Sequence, residues 1–303
     1  MHIVRMKNIM RDFHPLITVI MAVKNEELYI EEALRSIVNQ TYRHFEVIVI
    51  DDNSTDATFQ IVSGILKMDN RISLYRSCGN GKVAAFNMGW SISKGEYIFL
   101  FGGDDILTND SLAIRVSLHG LGADVATGRL RCFSDIRKYN NIVLPKRNRP
   151  SLKGGVTSFS RNFASLLFPI PIDLPSEDTW TSLCIKMFAK KIKWTNDVVL
   201  RYRIHENNSV RMGVCYEEKS KIISDRRKAY DYFLETFRDV LNEDSAAYIS
   251  SLIRAEKYRI RGRWEKILLS DDISFREKMN FISYSNKLLY QIRTLFERFL
   301  IGL

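Results

Sequence analysis

Three acidic pairs, one lysine and one histidine are the side chains in this sequence with the means to hold a cation or move a proton. Asp104-Asp105 follows the apolar run Tyr97 to Phe101 and a Gly102-Gly103 turn. Two carboxylates so placed can hold Mg²⁺ or Mn²⁺ through oxygen, with positions open for substrate phosphates. The same residues also suit an acidic turn ahead of a helix near Thr108-Asn109. Asp51-Asp52 closes a second apolar run, where an Asp can accept from a nucleobase N–H or a ribose hydroxyl. Asn53-Ser54-Thr55-Asp56 supplies ordinary turn and cap oxygens beside it. Glu177-Asp178 stands behind Pro169, Pro171 and Pro175 and is a candidate general base. Acids in a first helical turn are also simply favoured by the helix's positive end. Lys82, beside Gly79 and Gly81, can meet a phosphate or be solvated, and His205 can be a ligand or a structural histidine.

The surrounding pattern tells which elements must carry these groups. Leu16 to Val23 reads as a strand buried on both faces. Glu26 to Gln40 places Ile30, Ala33, Leu34, Ile37 and Val38 on one helical face. Phe45 to Ile50 is a second strand, and a helix with Phe59, Val62, Ile65 and Leu66 follows. Arg71 to Tyr75, a helix from about Val83 to Ser93, and Tyr97 to Phe101 complete four alternations. Right-handed crossovers then predict an α/β architecture: an open, mainly parallel sheet with helices on both faces. Ligands of such sheets bind at the carboxyl ends of strands, where Asp51-Asp52 and Asp104-Asp105 both fall. Beyond Ala123 the pattern loosens: a basic loop at Lys146 to Lys153, a helix near Ser158 to Leu167, one from Ser176 to about Lys191, and a strand from Ile192 to Ile204. Three amphipathic helices are expected near 217–241, 244–269 and 274–300.

Composition narrows the classes. Apolar residues at 46% and charged residues at 26% exclude collagen-like, disordered and disulfide-scaffold chains. No apolar stretch reaches the ~18 residues that span a bilayer. The first 14 residues carry no apolar core, so no secretory signal is expected. Four scattered cysteines lack metal-ligand spacing, and a cytoplasmic, reducing compartment is the expectation. The net charge of +10 is matched by one segment: Arg129 to Arg203 holds 15 Lys/Arg against 5 Asp/Glu. Such a band suits an anionic partner or a solvated surface. Gly79-Asn80-Gly81 lacks both the dinucleotide fingerprint and the P-loop ending, and nothing but charge favours nucleic acid.

Taken in order, the motifs resemble family 2 of the inverting glycosyltransferases. The resemblance is carried by Ile17-Thr18-Val19-Ile20-Met21-Ala22-Val23-Lys24-Asn25-Glu26, by Leu34-Arg35-Ser36-Ile37 with Gln40-Thr41-Tyr42, and by Glu46 to Asp56. Ala84-Ala85-Phe86-Asn87-Met88-Gly89, Gly95-Glu96-Tyr97-Ile98, the Asp104-Asp105 pair, Glu177-Asp178 and Tyr202-Arg203-Ile204-His205 continue it to about residue 210. It implies the GT-A nucleotide-sugar-binding fold over 15–215, in two halves (15–120 for the nucleotide-sugar, 121–215 for the acceptor). An N-terminal extension (1–14) would precede it and a helical C-terminal extension (216–303) would follow. It further implies that Ala22, Asn25, Glu26, Asp52, Lys82 and Asp104 bind the nucleotide-sugar. Asp105 and His205 would hold Mn²⁺ or Mg²⁺, and Asp178, beside Glu177, would be the catalytic base. The donor is expected to be a UDP-sugar and the acceptor a glycan or polyprenyl-diphosphate-linked hydroxyl, in surface-polysaccharide (O-antigen or capsule) synthesis. Two departures stand out: Lys24 replaces a frequent base-stacking aromatic, and Gly102 replaces the first acid of the common Asp-x-Asp-Asp form.

Two other classes share these features. A nucleotidyltransferase would use the same sheet but carry a Gly/Arg/Lys-rich loop, which Ala22 to Glu26 is not; a non-catalytic binding protein would have lost an acid. Arg254, Lys257, Arg259, Arg261, Arg263 and Lys266, interleaved with apolar residues, and the apolar spacing of Leu288 to Leu303 fit a surface contact with the inner face of the cell membrane, or helices packed on one another or on a partner.

Overall fold

The computed structural model describes residues 14–301, apart from 78, 80, 135–139, 147, 148, 153 and 206–213. The expected N-terminal extension, His14 excepted, and parts of the Gly79 turn and of the 146–153 loop therefore lie outside the described residues. The chain forms two compact units: the part up to Ile172 with Cys184–Ile204, and Asp173–Leu183 with His205 onward.

In the first unit, β1 (Ile17–Val23), β2 (Phe45–Asp51), β3 (Ile72–Arg76) and β4 (Tyr97–Phe101) lie parallel in the order β3-β2-β1-β4. The continuous apolar run of β1 has its cause here, since all seven positions are buried. On one face Val19, Met21, Val23, Val47 and Val49 pack with α1 (Ile30–Val38) and α2 (Thr58–Leu66) through Ile30, Leu34, Ile37, Val62 and Ile65. On the other face lies α3 (Lys82–Ile92), and Gly89 sets its approach. A Cβ at that position would sit 2.2 Å from Ile20 Cγ2, so no larger residue lets the helix this close. Helices on both faces are thus present.

The sheet continues through β8 (Thr157–Ser160), β6 (Val125–Phe133), β9 (Ile192–Arg203) and β5 (Ile106–Leu107), with β7 (Val143–Leu144) on β6. Here antiparallel strands join the parallel ones, so this half of the sheet is mixed. Among the described residues four strand pairings are parallel and four antiparallel. β8 enters from a loop rather than from a crossover helix, so antiparallel pairing is open to it. Residues 158–160, expected to begin a helix, pair with β4 or β6 instead. Ser160 then caps α5 (Arg161–Leu167), its hydroxyl accepting from the Phe163 amide. The remaining helix of this unit, α4 (Ser111–Gly120), follows β5.

In the second unit α6 (Asp178–Phe188) begins, and Trp180 meets Phe233 edge-on at 5.6 Å and stacks on Phe237 at 5.7 Å. Among the described residues the three expected C-terminal helices are six. They are α7 (Tyr216–Arg227), α8 (Ala229–Thr236), α9 (Glu243–Ile260), α10 (Trp264–Leu268), α11 (Phe275–Ile282) and α12 (Lys287–Ile301). Gly262, at φ 69°, ends α9 where a continuous helix was expected. Asn286 Oδ1, accepting from the Leu289 amide, opens α12 separately.

A buried charge cluster ties this unit together. Glu256 accepts from Arg227 at 2.6 Å and from Arg259 at 2.6 and 2.7 Å, and Ser224 donates to it at 3.0 Å. Burial alone would raise the Glu256 carboxyl, but the Arg259 hydrogen bonds and the charges of Arg227 and Arg259 hold it below the ordinary glutamate range. A carboxylate with a lowered native value contributes stability above its unfolded value and loses it as pH falls through the native one. Glu256→Gln should therefore cost about 3–5 kcal/mol, because two buried guanidinium groups lose their counter-charge. Urea denaturation at neutral pH checks this, and the deficit should shrink under acid conditions where wild-type Glu256 is itself protonated.

Candidate functional site

The carboxyl ends of β1, β2 and β4 lie side by side, in the register Val23 beside Asp51 and Met21 beside Phe101. The chain leaves each strand on polar residues, and together they make one rim. After β1 come Lys24, Asn25 and Glu26; after β2 come Asp52 and Asn53; after β4 come Gly102, Gly103, Asp104 and Asp105. Asn25 and Asn53 adopt φ of 55° and 60°, a left-handed turn that Asn tolerates. The two turns then clasp each other. Asn25 N donates to Ser54 Oγ at 3.0 Å, Thr55 N donates to Asn25 Oδ1 at 2.9 Å, and Glu26 N donates to Thr58 Oγ1 at 2.7 Å. Ala22, buried at the end of β1, forms the floor behind them.

Asp52 is only 3% exposed, and its carboxylate is engaged on this rim. Ser77 Oγ donates to Oδ1 at 2.7 Å and Gly81 N at 3.3 Å, while Lys24 Nζ lies 3.5 Å from Oδ2. An ionised oxygen accepts about two hydrogen bonds, so Oδ1 is filled and Oδ2 retains capacity. Lys82 starts α3 directly after Gly81, its Nζ 5.4 Å from the Phe86 ring centroid. Its cationic charge also acts on Asp105.

Asp104 and Asp105 divide the work of one turn. Asp104 is half-buried, and its Oδ1 lies 2.7 Å from where a Cβ on Gly102 would be. The missing first acid at Gly102 is thus the space over which Asp104 folds. A Cβ on Gly103 would come within 2.9 Å of Glu26 Cγ, so glycine there lets Glu26 reach the turn. Asp105 is 6% exposed, and its Oδ1 accepts from Arg203 N at 2.9 Å. Burial, then the charge of Asp104, push its carboxyl well above the ordinary aspartate value.

Arg203 is the residue that sequence reasoning missed. Its Nε donates to Asp104 O at 2.8 Å, its Nη2 reaches Glu32, and its guanidinium lies 4.6 and 4.5 Å from the Tyr29 and Phe133 ring centroids. The signal available was its place in Tyr202-Arg203-Ile204-His205, at the end of a strand. Nothing in the sequence pairs it with an acid about a hundred residues away.

Glu177, Asp178 and His205 belong to the second unit. Glu177 is 4% exposed and its carbonyl accepts from Thr181 N at 2.9 Å. Asp178 begins α6 with its side chain 40% exposed, 4.0 Å from Arg226 Nη1. His205 follows the end of β9 and is half-buried. Among the described residues no three His, Cys, Asp or Glu side chains converge to hold a metal ion. Mg²⁺ and Mn²⁺ sites that use substrate phosphates need only one or two carboxylates, and the adjacent Asp104 and Asp105 provide such a donor set.

The family described as "Glycosyl transferase family 2" matches residues 18–168, a span that holds every rim residue described above. Over that span, about half of the chain, the sequence matches glycosyltransferase family 2. A glycosyltransferase of Haemophilus influenzae of uncharacterized role is 40% identical over 99 residues, which is 32% of this chain and 40% of that protein. The chain thus spans well under two thirds of that relative's length. The putative glycosyltransferase EpsH of Bacillus subtilis is 27% identical over 254 residues, 74% of each chain. In fold, S. aureus TarS 1–349 in complex with UDP-GlcNAc is similar with a TM-score of 0.60 and 19% identity, over 90% of this chain and 82% of that one. The mannosyltransferase PcManGT of Pyrobaculum calidifontis, in complex with GDP-Man and Mn²⁺, is similar with a TM-score of 0.55 and 17% identity, over 98% and 94%.

Arg203 binds the Asp104-Asp105 turn to β9. Arg203→Ala should cost about 1–3 kcal/mol, the range for losing a partner of a buried polar group. Glu32→Gln should cost less, because Glu32 touches only the far end of the guanidinium. Urea denaturation of both variants checks the order.

Proposed function

We propose that the chain transfers a sugar from a nucleotide-diphosphate donor, a UDP-sugar, to a hydroxyl of a glycan or lipid-linked acceptor, with inversion at the anomeric carbon. The observation that carries this is the rim itself. At the carboxyl ends of the parallel strands stand a buried carboxylate after β2 with capacity left on one oxygen, a helix start bearing Lys82 after β3, and a paired-carboxylate turn after β4. That is the arrangement a nucleobase, a diphosphate and a sugar would need in sequence. Its likeness in fold to proteins described with UDP-GlcNAc and with GDP-Man supports the same reading, and the family match favours it over nucleotidyl transfer.

Residue by residue, Ala22, Asn25 and Glu26 line the nucleotide pocket, and Asp52 Oδ2 accepts from the base. Lys82 attracts the diphosphate, and Asp104 faces the ribose and sugar. Asp105 would hold Mn²⁺ or Mg²⁺, with His205 the second candidate ligand. A divalent cation there supplies Lewis-acid stabilisation of the leaving diphosphate. It is also the counter-charge that a buried acid beside a second acid calls for. Asp178 takes the proton from the acceptor hydroxyl as that oxygen bonds to the anomeric carbon and the bond to the nucleoside diphosphate breaks. Its exposure suits a group that must meet a solute, and the buried Glu177 is the weaker candidate. The fold is read as GT-A over 15–215 with a helical extension over 216–303. The setting is cell-surface polysaccharide synthesis at the inner face of the cell membrane.

The test is incubation with a panel of nucleotide sugars, with Mn²⁺ or with EDTA, followed by anomer-resolved analysis of the product. Transfer or slow donor hydrolysis with a UDP-sugar, lost in EDTA, is expected. Asp178→Asn should lower turnover ~10²–10⁴-fold with donor affinity nearly unchanged. A variant within threefold of wild type would move the base elsewhere, and a retained anomeric configuration would overturn the single displacement.

A further inference from the structure

Apolar exposure in this chain is concentrated at its C-terminal end. Among the described residues sixteen large apolar side chains are exposed, and nine of them lie between Ile260 and Phe296. Scattered exposed apolar residues need no explanation, but a contiguous group does. Leu288, Ile292, Leu295 and Phe296 follow one another at i, i+4, i+7 and i+8 along α12, which makes a single stripe. Leu295 is 52% and Phe296 61% exposed, so packing within the unit leaves that stripe uncovered. Beside it α11 and α12 enclose a cleft of about 480 Å³, floored by Ile282, Leu289, Ile292 and Phe296 and carrying Arg276 and Arg293.

The charge around this surface is mostly positive. Over their lengths α11 and α12 hold Arg276, Lys278, Lys287, Arg293 and Arg298 against Glu277 and Glu297. Glu277 is already committed: it closes the capping box with Ser274 and accepts from the Tyr248 hydroxyl. Arg261, Lys266, Arg276 and Lys287 are exposed. Farther back Glu256 pairs with Arg227 and Arg259 in the interior, and Glu265 with Arg263 and Asp272 with Arg254 at the surface.

We propose that this face, the α12 stripe with the α11–α12 cleft, seats the chain on a bilayer containing anionic phospholipid. The apolar stripe would enter the acyl boundary, and the surrounding cations would meet the headgroups. A second copy of the chain fits the face less well. A two-fold contact sets a patch against itself and would oppose cation to cation. The proposal rests on the membrane-side setting given above and is independent of the transfer chemistry.

The experiment is co-sedimentation of the full chain with phosphatidylcholine vesicles, and with vesicles of phosphatidylcholine and phosphatidylglycerol in equal parts, at low and high salt. Binding is expected to the mixed vesicles at low salt and to weaken at high salt. Leu295→Ser with Phe296→Ser should lower it at least about tenfold. Arg276→Gln with Lys287→Gln should lower it by about fivefold per charge removed. Unchanged thermal melting of both double variants separates these effects from misfolding. Wild-type chain that stays in the supernatant at low salt, equal binding to neutral vesicles, or apolar variants that bind like wild type would each overturn the proposal. So would loss of a dimer in sedimentation velocity without vesicle binding, which would assign the face to a second copy. Donor hydrolysis measured without vesicles reports on the transfer site alone, so either reading can fail while the other stands.

Discussion

A carboxylate withdrawn from water next to a second carboxylate must find donors or a cation, and Asp105 is in that position. Its neighbours follow from this need. Arg203 N donates to it, the Arg203 side chain holds the carbonyl of Asp104, and Lys82 adds positive charge from the start of α3. Gly155 packs close on the other oxygen, a Cβ there lying 3.7 Å from Asp105 Oδ2. To bring Arg203 to this point β9 must run beside β6 for nearly its whole length and pair with β5 directly after the acidic turn. The mixed half of the sheet is therefore the means by which the acidic turn is held against the parallel half.

The parallel half was legible residue by residue. Continuous apolar runs named β1, β2 and β4, and the polar residues beyond them named the rim. The mixed half was not, because its strands are short or irregular and their partners distant. Thr157–Ser160 carries only four residues, and its Ser and Thr favour caps as readily as strands. β6 and β9 pair through register shifts near Gly128, where the Val199 side chain occupies the space a Cβ would take. Arg203 stayed invisible for the same reason, since a long-range partner leaves no local spacing. The C-terminal helices were read as helices, but their breaks depend on Gly262 and Asn286, which periodicity alone does not weigh.

The second unit treats charge in two ways. Inside, Glu256 gathers Arg227 and Arg259, whose guanidinium groups donate to Ser220, Asn280 and the carbonyl of Tyr284 and so join three helices. Outside, basic residues on α11 and α12 border exposed apolar side chains. The overall net charge of +10 thus combines a neutralised interior with two basic surfaces of separate origin, the 129–203 segment and the C-terminal helices.

The central claim is that the ends of β1, β2 and β4 bind a nucleoside diphosphate, with Asp52 reading its base. Calorimetric titration of UDP and GDP into wild type and Asp52→Asn, with Mn²⁺ present, addresses it most directly. UDP should bind the wild type, GDP more weakly, and Asp52→Asn should lose about tenfold or more in UDP affinity, the scale of a hydrogen bond to a charged acceptor. Absence of UDP and GDP binding, or an Asp52→Asn variant that binds UDP as wild type does, would contradict the account.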